Sequence, residues 1–90
     1  MTGPGEIADA QRHRLEMLDA VYAAIQRRLE VLELVSNSDA PEDALRAVQQ
    51  LLGVTEQHAQ AVLDLQFGRL TLSGVARIER DRERLRAELG

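Results

Sequence analysis

Residues 6–36 contain neither glycine nor proline, and their large apolar side chains recur with helical spacing. Leu15, Leu18, Tyr22, Ile25, Leu29 and Leu32 step alternately by three and four. Such a heptad seam packs one helix along another, and it is incompatible with a strand, whose side chains change face at every residue. A helix over this stretch would run about 46 Å at ~1.5 Å per residue. A chain of 90 residues has too small a core to cover that length. The seam therefore defines an arm that needs a partner helix, and it sets the fold class as all-α.

Punctuation residues divide the rest of the chain. In "SNSDAPEDA", residues 36–44, Asp39 and Glu42 have capping-box spacing, and Pro41 falls in a first turn where its missing N–H is harmless. A second helix is expected over 40–52, with Leu45, Val48 and Leu52 on one face and Gly53 as its stop. Thr55 caps a third helix over 56–67, Val54 serves as its hydrophobic staple, and Gly68 closes it. Thr71 caps a fourth helix over 72–89, whose apolar positions are Val75, Ile78, Leu85 and Leu89. Gly74 lies in its first turn, where glycine costs about 1 kcal/mol relative to alanine. Residues 1–5 read as a disordered leader and 6–90 as a single helical domain. The implied layout is a long helix and a medium helix as an antiparallel coiled-coil arm, with two short helices as a knob at one end. The fourth helix, about 27 Å long, would cover only the knob-proximal half of the first.

With one Tyr, one Phe and no Trp, the core must be built from Leu, Val, Ile and Ala. Cysteine is absent, so disulfides and thiolate metal sites cannot reinforce it, and oligomerisation is the common remaining remedy. The net charge is −4 and every one of the 11 basic residues is arginine. That balance disfavours strong nucleic-acid binding, which rests on neutralising phosphates. The most arginine-rich stretch, "RIERDRERLRAE" (77–88), alternates sign and reads as a solvated helix with intrahelical ion pairs. The first residues lack the basic and apolar regions of a signal peptide, and no run is long enough to span a bilayer, so the expected location is cytoplasmic.

No constellation of catalytic residues stands out. Tyr22 lies on the seam and reads as packing. His13 and His58 are far apart in sequence and neither has a metal-helix spacing, so no metal site and no cofactor are expected. The third helix is more informative, because Ala59, Val62, Leu63 and Gln66 share one face while His58, Ala61 and Leu65 share another. Either its neighbours cover both faces, or one face, with Phe67 and Leu70 near its end, is a self-association surface.

The stretch "GVTEQHAQAVLDLQFGRLT", residues 53–71, resembles the tail of the breakage-reunion (A) subunit of DNA gyrase and related type IIA topoisomerases. It orders a glycine, a capped helix, an alternating apolar run and a second cap as that family does. Weaker likeness extends through "LEMLDAVYAAI" and "SNSDAPEDALRAVQQLLG", over roughly residues 12–89. The resemblance implies a coiled-coil arm bearing a small helical knob, two of which meet as the exit gate for transported DNA. It thus implies homodimerisation rather than chemistry, with His58, Ala61, Leu65, Phe67 and Leu70 as the suspected interface, and it favours self-association over mere core packing. Pairing with a full-length gyrase A chain, as competitor or regulator, is a variant of the same idea. The family's catalytic tyrosine, winged-helix domain and DNA-wrapping domain have no counterpart in these residues. One local departure is Leu72-Ser73-Gly74 after "RLT", where the family usually completes a capping box.

Two other readings are of different class. A small all-helical, chorismate-mutase-like enzyme would use Arg14, Arg28 and Arg46 to face a dicarboxylate. A duplicated tail that folds with no present task is the other.

Overall fold

A computed structural model describes residues 3–90. It contains α1 (Pro4–Gln26), α2 (Arg28–Ser36), α3 (Pro41–Leu52), α4 (Glu56–Leu63), a 3-10 turn (Phe67–Leu70) and α5 (Leu72–Leu89). The all-α expectation holds, with no strand among the described residues. Helix α1 starts inside the expected leader. Gly3 is its N-cap, Pro4 takes the first position, and the Gly3 N–H donates to Glu6 Oε2 at 3.3 Å. Met1 and Thr2 lie outside the described residues.

The long first helix is broken. Arg27 leaves helical geometry at φ −118°, ψ 32°, and its N–H is shared between the Ala23 and Ala24 carbonyls, both at 3.2 Å. Neither glycine nor proline causes the break. At the break, arginine side chains bond to backbone carbonyls instead. Arg28 Nη1 donates to the Ile25 carbonyl at 3.0 Å, and Arg27 Nη1 donates to the Leu51 carbonyl of α3 at 3.2 Å. Beyond the break the seam changes face. Val31 and Val35 pack against the core, whereas Leu29 is 77% exposed and Leu32 51%. The seam therefore holds only over its first part: Ile25 is buried, and Leu15, Leu18 and Tyr22 are half-buried.

Helices α1 and α5 run antiparallel as expected, but their pairing reaches further along α1 than half. Asp19 accepts from Arg82 Nε at 2.8 Å and from Arg86 Nη2 at 3.1 Å, and near the far end Gln11 Nε2 donates to Glu88 Oε2 at 3.2 Å. The Arg82 guanidinium lies 4.0 Å from the centre of the Tyr22 ring, a cation–π contact. Arg82 and Arg86 thus turn toward α1 rather than into a purely solvated face; within α5, Arg84 and Asp81 form an intrahelical pair at 3.7 Å. Helix α4 also lies along α1, so the short helices do more than cap an arm. Val21, Ala24 and Ile25 of α1 meet Val48 of α3, Ala59 and Val62 of α4 and Ile78 of α5 in one core.

Most boundaries match those expected. Gly53 ends α3 at φ +64°, a left-handed conformation that suits glycine. Thr55 Oγ1 accepts from the His58 N–H at 3.2 Å, and Thr71 Oγ1 accepts from the Gly74 N–H at 3.1 Å. Two further expectations fail. Ala40, not Asp39, is the N-cap of α3, and no side chain bonds there, because Pro41 at the first position forces the residue before it into extended backbone. Helix α4 stops at Leu63 rather than at residue 67, and Gly68 sits in the 3-10 turn.

Gly74 has a packing reason that propensity misses. A Cβ placed there would fall on the backbone carbonyl group of Arg69, which cannot swing aside as a side chain would. Gly74→Ala should therefore lower stability by about 1–3 kcal/mol through overpacking, despite alanine's better helix propensity. Gly5→Ala, where a Cβ meets nothing within 4 Å, should raise it by up to about 1 kcal/mol. Urea denaturation of both variants checks the opposite signs; a stabilised Gly74→Ala protein would contradict the close approach.

Candidate self-association surface

An apolar groove of about 240 Å³ lies between α2 and the segment after α4. Ala24, Ile25, Val31 and Val35 line it from the first two helices, and Val62, Leu63, Leu65 and Leu70 line it from the other side. Leu29, Leu32 and Phe67 also line it and are exposed, Phe67 at 80%. Arg28 is the charged lining residue, and its guanidinium is bonded to the Ile25 carbonyl.

Local backbone explains how this wall forms. After Asp64 the helix gives way, with the Leu65 N–H bonded to the Val62 carbonyl at 3.1 Å and Gln66 extended at φ −80°, ψ 139°. The 3-10 turn then starts at Phe67, and the Arg69 N–H bonds to the Gln66 carbonyl at 3.0 Å. The face expected from helical spacing is consequently divided. Leu65, Phe67 and Leu70 reach the groove, whereas His58 is buried at 5% exposure and Ala61 lines a separate groove with His13 and Glu16. A helix extended to residue 67 would have kept His58, Ala61 and Leu65 on one face; ending at Leu63 separates them.

Leu29 and Leu32 join the surface although the seam placed them in the arm. Val31, Val35 and Leu63, absent from the expected interface, also line it. The apolar spacing runs unbroken past Arg27 and Arg28, so it gives no mark of this rearrangement.

Folding also separates some residues and gathers others. Arg14, Arg28 and Arg46 line three different grooves, and Arg46 is bonded to Asp43 at 3.1 Å. Within one chain they do not converge on a ligand. His13 and His58, distant in sequence, are brought together with ring centres 5.2 Å apart. The expectation of no metal-ligating cluster rested on that sequence distance and on the lack of a metal-helix spacing; the packing of α4 along α1 removes the first ground.

Known proteins with similar sequences share a single theme. The chain is 30% identical over 60 residues to the A subunit of DNA gyrase from Staphylococcus aureus, and 32% identical over the same length to that from Staphylococcus epidermidis. Each match covers 67% of this chain and 7% of the relative, so the chain spans a small part of the curated relatives it matches. No protein-family model matches. These matches are consistent with a gyrase A-related fragment. Among the described residues no helix is long and apolar enough to cross a membrane.

The Arg27 guanidinium is bonded to Glu30 as well as to α3, and its bonds to Glu30 lower the pKa of that carboxyl from its ordinary value. Replacing Arg27 by alanine removes the link to Leu51. Amide hydrogen exchange across Arg28–Ser36 should then accelerate, while exchange along the paired stretch of α1 and α5 stays near wild type. Uniform acceleration of both regions would show that Arg27 supports the whole fold rather than the hinge.

Proposed function

We propose that this chain is a non-catalytic homodimerisation module related to the tail of gyrase A, with two copies meeting at the apolar groove. One observation carries the reading: Leu29, Leu32 and Phe67 are exposed around a single groove whose walls are also apolar. Fully burying such a side chain contributes about 1.5–3 kcal/mol, while association costs about 4–15 kcal/mol. Three anchors alone are marginal, so the groove walls must be covered with them. The size of the chain supports this, since small cores commonly gain stability by oligomerising. The similarity to gyrase A supports the same class of role. Pairing with a gyrase A tail is the heterologous version, and it would use the same groove. The net charge of −4 supports weak, salt-sensitive binding to duplex DNA at most.

Sedimentation equilibrium at micromolar concentration tests the reading. Wild type should be dimeric. Leu29→Asp and Phe67→Asp, both at exposed positions, should yield monomers with unchanged helical circular dichroism, because each would place an unpaired charge in the interface. Ile7→Asp, on the free end of α1, should remain dimeric. A stable wild-type monomer would exclude the homodimer, and dissociation by Ile7→Asp alone would move the interface to the end of the arm.

A further inference from the structure

His58 is a buried polar side chain whose Nε2 has no hydrogen-bond partner. Buried imidazole nitrogens are normally satisfied, so an orphan one asks for an explanation, of which a bound water or ion is one. Its position is fixed from two sides. The backbone N–H at His58 is held by the Thr55 cap, and the ring lies against that of His13 on α1. Glu16 is one helical turn beyond His13, on the same face of α1. Ligand atoms of His13, Glu16 and His58 all lie within 4.8 Å of one another.

We propose that His13, Glu16 and His58 form a binding site for a divalent transition-metal ion of the zinc class. Two imidazole nitrogens and a carboxylate oxygen are donors that zinc accepts, whereas magnesium and calcium favour oxygen alone. Around a tetrahedral ion with bonds of ~2.0–2.1 Å, ligand atoms stand about 3.3 Å apart. The present spacing must therefore close by at most roughly 1.5 Å. His13 and Glu16 are exposed and free to turn, while burial holds His58 in place. The groove that they line is open to solvent and leaves a fourth position for water. A bound ion ties α4 to α1. This site shares no lining residue with the apolar groove, so metal binding is independent of the proposed dimer.

The test is titration of the chelator-stripped full chain with zinc chloride by calorimetry, with thermal unfolding followed in parallel. One ion per chain should bind, and the unfolding temperature should rise with zinc concentration because the ion favours the folded state. His13→Ala and Glu16→Gln, both at exposed positions, should keep the metal-free circular dichroism of wild type and each weaken zinc binding tenfold or more. His58→Asn, should it fold, must lose the zinc-dependent rise in unfolding temperature. Absence of zinc binding by wild type overturns the proposal. So does unchanged affinity in either His13→Ala or Glu16→Gln.

Discussion

Arg27 joins two parts of the chain that a straight helix would hold apart. Its guanidinium reaches the Leu51 carbonyl near the end of α3, and the neighbouring Arg28 satisfies the Ile25 carbonyl next to the break. Carbonyls freed from a helix ladder need partners, and here arginine side chains from the break itself provide them. The arrangement above the break depends on this. Helix α2 leans onto α3, Val31 and Val35 replace Leu29 and Leu32 as inward residues, and α3 with α4 can settle beside α1 instead of beyond it. The Arg27–Glu30 pair is solvent-exposed, so its contribution is chiefly geometric: it restrains the side chain that reaches across to α3.

Below the break a second polar device sets the alignment of α1 and α5. Asp19 gathers Arg82 and Arg86, and Arg82 also covers the Tyr22 ring. Apolar contacts between two antiparallel helices tolerate sliding by a turn, whereas one carboxylate bonded to two arginines allows little. With that alignment fixed, the N-terminus of α5 lies against the 3-10 turn, and Gly74 permits backbone to meet backbone where a Cβ would not fit. At the corner between α4 and α5, Phe67 is exposed and Leu65 and Leu70 line the groove.

Helix α4 separates two sites of different chemistry. Leu63 and Val62 contribute to the apolar groove, and His58 and Ala61 contribute to the groove containing His13 and Glu16. A partner helix or second copy suits the first, because apolar surface gains from being covered. A small cation suits the second, because its donors are few, polar and convergent. The similarity to gyrase A concerns only a short stretch of those much longer proteins.

The sequence by itself determined the helical class, the Gly53 stop and the Thr55 and Thr71 caps. Each depends on neighbouring residues or on helical periodicity, which local pattern carries in full. It also marked Leu65, Phe67 and Leu70 as apolar surface in excess of a small knob; Phe67 is exposed, whereas Leu65 and Leu70 pack in part against the core. Only the tertiary structure decided where the first helix breaks, because the groups that satisfy the break include the Leu51 carbonyl, distant in sequence. That break moved Leu29 and Leu32 from the arm seam to the groove rim. Likewise, helical spacing placed His58 beside Leu65, but the end of α4 at Leu63 parted them and packing against α1 set His58 beside His13. Spacing along one helix fixes only which residues share its face; which other helix meets that face depends on contacts that no local pattern encodes.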